Sequence, residues 1–299
     1  MSVRIALSSA STLLADALGN PWYELATDET TVFAAPNPFG SSTTITQASI
    51  ELLDVPGELA SHGVKSFDLC NQHVPRIDRS YLKELRVAFE EADVELFQIL
   101  IDLGDVSSPA PNQRSASIRL TKRWMEIAGE LGALGVRYVP GDSEPSRDTM
   151  HWSADALCQL ADYARECGLM PAVENYKVMM READDLLKLL ALSDREYGLI
   201  ADFGNATDAR RANKYDTLSR LIGRATSIHA WCECDADGQI DTADFRHCLH
   251  MALATGFDGP IMLLGGRPSD VYRRTRSLWE SVAELGQEVR AVFDADHMA

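Results

Sequence analysis

The chain has 299 residues, 45% of them hydrophobic and 24% charged, which is enough apolar side chain for one large core. A formal net charge of −17 with a pI near 4.8, and no run of lysines or arginines, argues against a nucleic-acid partner. The cysteines (Cys70, Cys158, Cys167, Cys232, Cys234, Cys248) lack the dense spacing of a disulfide scaffold, and no basic leader or long apolar run is seen, so a cytoplasmic protein without a membrane span is expected.

Short apolar runs alternate with amphipathic stretches along the chain. The runs predict strands at 3–8, 64–69, 94–102, 136–140, 169–174, 197–202, 225–230 and 260–264. Helical patterns fall near 47–62, 79–92, 115–134, 153–167, 182–192, 214–223 and 242–255, with a last helix at 270–292. Gly63, Gly135, Gly168, Gly198 and Gly256 fall at the helix-to-strand turns, where a left-handed residue is expected. Repeated βα alternation predicts a parallel sheet with right-handed crossovers, and no Gly-x-Gly-x-x-Gly turn follows the first strand. The α/β class with a single closed (β/α)8 barrel over 1–299 is therefore favoured over an open sheet. Residues 20–46, rich in Pro, Gly, Ser and Thr, read as a long loop inserted after the first strand, serving as a lid or an oligomer contact.

Three strands end in groups that coordinate hard cations: Met170-Pro-Ala-Val-Glu174-Asn175, Gly198-Leu-Ile-Ala-Asp202-Phe-Gly-Asn205 and Ala225-Thr-Ser-Ile-His229-Ala230. A buried parallel strand shows polar groups only where it leaves the core, so Glu174, Asp202 and His229 should meet at the carboxyl rim of the barrel. Two carboxylates and an imidazole suit a divalent ion; Mn, Mg, Co and Zn all remain open. Taken singly, each has a plainer role: Asp202 as a turn cap, His229 as a core histidine, Glu174 as a partner of Lys177 or Arg181. Three coincident strand ends favour the metal.

These segments carry a resemblance. Val173-Glu174-Asn175, Ala201-Asp202-Phe203-Gly204-Asn205, Ser227-Ile228-His229-Ala230 and Gly256-Phe257-Asp258-Gly259-Pro260-Ile261 resemble the xylose-isomerase-like TIM barrel superfamily of sugar phosphate isomerases, epimerases and endonuclease relatives. The resemblance implies metal ligands at Glu174, Asp202 and His229, and homo-oligomer formation follows from it alone. It also implies a fourth, glutamate ligand after the last strand, but that position is Leu264. The usual histidine after the aspartate is Asn205, and the second catalytic glutamate falls near Met180. The symmetrical two-base 3-epimerase mechanism is therefore not carried over.

Other rim candidates follow from the strand ends. His73 titrates near neutrality and, with Glu174, is a candidate for moving a proton at carbon. Asp102 and Asp105 offer carboxylates to sugar hydroxyls, Asn205 an amide, Trp231 an apolar face, and Arg267 a planar fork for an anion. Cys232-x-Cys234 beside His229 reads as buried free thiols rather than a zinc knuckle. The sequence predicts a metal-assisted isomerase or epimerase acting on a small sugar, keto-sugar or polyol through an enediolate. Elimination on the same substrates and a non-catalytic sugar- or partner-binding barrel are the alternatives.

Overall fold

The structure, a computed structural model, describes residues 3–10, 26–27, 30–31, 50–180, 182–207, 214–233, 239–264 and 278–295. Among them, eight parallel strands close a barrel: β1 (Arg4–Ser8), β2 (Ser66–Cys70), β3 (Glu95–Ile101), β4 (Gly135–Tyr138), β5 (Met170–Glu174), β6 (Gly198–Asp202), β7 (Ser227–Trp231) and β8 (Pro260–Leu264). Strands adjacent in sequence are adjacent in the wall, and β8 returns to β1 with Arg4 opposite Pro260 and Leu7 opposite Leu263. Closure pairs every strand on both sides and leaves no open edge. Within the expected loop at 20–46, Ala26–Thr27 pairs antiparallel with Thr30–Thr31; the remainder of that segment lies outside the described residues.

β2, β4, β7 and β8 are buried along their whole length; β8 is a continuous apolar run, whereas β2, β4 and β7 bury Asp68, Arg137 and His229 among apolar neighbours. The helices pack outside: α1 (Val55–Ser61), α2 (Arg79–Glu91), α3 (Pro111–Leu131), α4 (Arg147–Glu166), α5 (Ala183–Ser193), α6 (Lys214–Leu221), α7 (Thr242–Ala254) and α8 (Leu278–Ala295). No helix among the described residues is long and apolar enough to cross a membrane.

Several boundaries differ from the periodicity, each for a local reason. α4 begins at Arg147 rather than near 153, because Ser146 and Thr149 form a reciprocal capping box. α3 begins at Pro111, whose ring suits a first turn with no backbone donor to spare. α1 covers only Val55–Ser61 of the expected 47–62. Gly63, Gly168 and Gly256 do adopt the left-handed conformation. Gly135 and Gly198 do not. They open β4 and β6, where an added Cβ would meet Met170 O at 2.8 Å and Thr226 Oγ1 at 2.8 Å. The left-handed turns before those strands are made by Gly132 and Asp194.

One irregularity bears on the interior. The β2–β3 ladder pairs Phe67 with Leu96 but Asp68 with Gln98, so Phe97 is passed over between the two. Such a bulge bends the wall locally and re-aims the side chains beside it.

Candidate metal centre

The registers bring Glu174 and Asp202, the last residues of β5 and β6, together with His229, which is the middle residue of β7 rather than its end. Asp202 lies opposite His229, and Glu174 lies opposite Ile200, two residues before Asp202 on the same face of β6. His229 Nδ1 stands 3.2 Å from Glu174 Oε1 and 3.7 Å from Asp202 Oδ2, and one donor atom from each of the three residues falls within 4.8 Å of the others. An octahedral ion with bonds of about 2.1 Å places neighbouring donors about 3 Å apart. The donor set and its spacing therefore fit a hard or borderline divalent ion with positions left for other ligands. All three residues are buried, and Glu174 Oε2 has no hydrogen-bond partner among the described residues.

Arg137, on β4, balances part of this negative charge. Its Nε is 2.9 Å from Glu174 Oε2, an ion pair without hydrogen-bond alignment, and its Nη1 donates to Asp102. The guanidinium also lies over the Tyr176 ring, 5.3 Å from its centroid. Burial pushes the Glu174 carboxyl up, but the charge of Arg137, then of His229, outweighs it and holds Glu174 below the usual carboxylate range. Asp202 moves the other way, because burial raises its pKa beyond what contact with His229 returns. For His229, burial favours the neutral ring; Glu174, with bonds to Asp202 and Asp68, overcomes this and raises its pKa well above the ordinary imidazole value.

Hydrogen bonds hold the acids in place. Asn175 Oδ1 accepts from Asp202 N at 2.7 Å, and its Nδ2 donates to Asp202 O at 3.0 Å, locking β5 to β6 at the rim. Asn205 donates from its backbone to Asp202 Oδ1 at 2.7 Å and from its side-chain amide to Glu174 Oε1 at 3.2 Å. Glu174 pairs with Arg137, whereas Lys177 lies 3.4 Å from Asp142 and Arg181 lies outside the described residues.

The remaining candidates are distributed around this cluster. Asp102 reaches it through Arg137. His73 is buried after β2 with Nδ1 2.9 Å from Ser9 Oγ, and burial lowers its pKa to about 4, against the pull of Asp102. Asp105 braces loops: its Oδ1 accepts from Ser107 N, Ser107 Oγ and Asp142 N. Trp231 is buried with its ring against Gly204, where an added Cβ would lie 2.6 Å from Cγ. Cys232 is buried with its Sγ donating to Leu264 O at 3.9 Å, whereas Cys234 and Arg267 lie outside the described residues. Leu264, at the end of β8, is buried and brings no donor.

Two residues of the cluster, Asp68 and Arg137, were not anticipated. The signal was present: each is a charged residue inside a strand that otherwise reads as a buried apolar run, and a charge is buried only with a partner. Asp68 Oδ2 lies 3.0 Å from His229 Nε2.

Residues 56–282 match the family described as xylose isomerase-like TIM barrel. The chain belongs to the xylose isomerase-like TIM barrel family. No curated protein sequence matches it. Among solved structures this family member is similar to an L-ribulose 3-epimerase, at 15% identity over 99% of this chain and 98% of that one, with a TM-score of 0.69. It is also similar to a xylose isomerase-like TIM barrel protein from Mycobacterium smegmatis in complex with magnesium, at 16% identity, 98% coverage of each chain and a TM-score of 0.63. A 3-keto-D-glucoside 4-epimerase from E. coli matches at 17% identity over 81% of this chain and 97% of that one, with a TM-score of 0.59. At these identities the likeness establishes the barrel and leaves the chemistry to the site.

Proposed function

We propose that the protein is a divalent-metal-assisted isomerase or epimerase acting on a small sugar, keto-sugar or polyol. The observation that carries the reading is the convergence of Glu174 and Asp202, the last residues of β5 and β6, with His229 in the middle of β7, donor atoms lying within 4.8 Å of one another. Family membership and neighbours that include an L-ribulose 3-epimerase and a magnesium complex support it. A divalent ion held by these three residues would, when bound, act as a Lewis acid toward substrate oxygens.

The protein's own groups then have distinct tasks. Glu174 is the group we assign to moving the proton at the carbon next to the carbonyl, because Arg137 keeps it ionised and its Oε2 accepts no aligned hydrogen bond. His73 is the second choice, because it is buried and its Nδ1 is already engaged with Ser9 Oγ. Asn205 and Asp102, at the edge of the cluster, are assigned to substrate hydroxyls, with Trp231 and Arg267 as further contacts. Returning the proton to the neighbouring carbon gives isomerisation, and returning it to the opposite face gives epimerisation.

The test is elemental analysis of protein purified without chelator, beside folded Glu174→Ala and His229→Ala variants. About one divalent ion per chain, lost in both variants, together with keto-sugar-dependent deuterium uptake from heavy water, is the expected result. A metal-free protein that resists reconstitution with Mn, Mg, Co or Zn sinks the reading. Leu264 in place of a carboxylate would then mark a barrel that binds a sugar or a partner without turning it over.

A further inference from the structure

We propose that Asp68 is a positioning residue for this centre: its carboxylate fixes which ring nitrogen of His229 faces Glu174 and Asp202. The inference rests on the metal reading above. His229 is bracketed along its ring, with Asp68 Oδ2 3.0 Å from Nε2 on one side and Glu174 Oε1 3.2 Å from Nδ1 on the other. An ionised carboxylate only accepts, so Nε2 carries a proton and donates it to Asp68. In the neutral ring the lone pair then belongs to Nδ1, the nitrogen that points at the two acids.

The placement of Asp68 serves this contact. Its side chain is 0% exposed and that of His229 2%. In the barrel wall β2 and β7 are separated by β1 and β8, so a bond between residues 161 apart in sequence must cross the interior. The break in the β2–β3 ladder falls beside Asp68, with the passed-over residue, Phe97, on β3. Oδ1 has no hydrogen-bond partner among the described residues, so the carboxylate caps no helix or turn there. Removing a carboxylate from water is unfavourable, and its single bond goes to the imidazole. Asp68 is not among the three residues whose donors cluster, so it stands behind the ligand rather than beside it. A carboxylate behind a ligating histidine fixes the tautomer and ring orientation and raises the basicity of the donor nitrogen. With Leu264 bringing no donor from β8, the strength of the His229 bond carries a larger share of affinity.

The experiment is a Co²⁺ titration of metal-free wild type, Asp68→Asn and Asp68→Ala, followed by visible absorption. It is paired with ¹⁵N-histidine NMR of the Zn²⁺-loaded wild type, and folding is checked by circular dichroism. Loss of the outer partner should weaken Co²⁺ binding about 10- to 100-fold in Asp68→Ala. Asp68→Asn, which still offers an acceptor, should lose less. In the Zn²⁺ form Nε2 should keep its proton while the Nδ1 resonance moves. If Asp68→Ala does not fold, Asp68→Asn and the NMR decide. Folded variants that bind Co²⁺ as tightly as wild type, or a metal seated on Nε2, overturn the proposal while the metal reading stands. A wild type that takes neither ion overturns both.

Discussion

Arg137 Nε stands 2.9 Å from Glu174 Oε2, and both side chains are closed off from solvent. This guanidinium also serves Asp102, so its removal strands the Asp102 carboxylate and leaves Glu174 only His229 as a counter-charge. Breaking such a pair from one side is typically destabilising by about 3 to 5 kcal/mol. Arg137→Met should therefore lower stability by roughly that amount in metal-free protein, measured by urea unfolding. The double variant Arg137→Met/Glu174→Gln should fall short of the sum of its single changes, since the second removes a charge whose guanidinium partner the first has taken away. Additive losses would show that the pair is not coupled.

A metal that binds only the folded protein stabilises it by mass action. At a free concentration about 100 times Kd the gain is about 2.7 kcal/mol. Mn²⁺ or Mg²⁺ added to chelator-treated protein should raise the urea midpoint accordingly, and His229→Ala should abolish the increment. An equal increment in His229→Ala would place the ion elsewhere.

Barrel class, strand order and the three candidate ligands were legible because a parallel strand buried on both faces must write its exit from the core as a polar residue. Glu174 and Asp202 are such exits, the last residues of β5 and β6; His229, expected at a strand end, is the middle residue of β7. Asp68 and Arg137 were not legible in that way. Like His229 they sit within strands, but their role depends on which strands face each other across the lumen, a relation between residues 161 apart in the case of Asp68 and His229. The glycine turns were half legible for a related reason. Gly63 answers a local demand for positive φ, whereas Gly135 answers the nearness of Met170 O, which only the assembled β4–β5 pair creates.

Gly204 couples packing to the site. It lies between Asp202 and Asn205, and a Cβ there would meet Trp231 Cγ at 2.6 Å and Cδ1 at 2.8 Å. The indole is buried and cannot retreat into solvent. Overpacking of this kind costs about 1 to 3 kcal/mol. Gly204→Ala should lose stability in that range and also weaken metal binding, because the displaced turn carries the Asn205 N donor to Asp202 Oδ1. Lost stability with unchanged metal affinity would show that the strain is absorbed on the Trp231 side.

His73 gives a pH dependence that is independent of metal. Burial lowers its pKa to about 4 from an ordinary imidazole value of 6.5, so the folded protein keeps the ring neutral where the unfolded chain would protonate it. The unfolded state therefore binds the extra proton between pH 6.5 and pH 4, and stability falls as pH falls through that window. Above 6.5 the ring is neutral in both states and contributes no slope. Fully developed, one proton corresponds to roughly 1.4 kcal/mol per pH unit. Carboxylates titrate in the lower half of the same window, so the informative quantity is the difference between wild type and His73→Asn. Urea unfolding of both proteins at half-unit steps should show the wild type losing stability more steeply on acidification, with the two slopes converging above pH 6.5. Parallel curves throughout would mean that the imidazole is protonated in the fold and that Ser9 accepts from it. That outcome would return His73 to consideration as an acid in the proposed reaction.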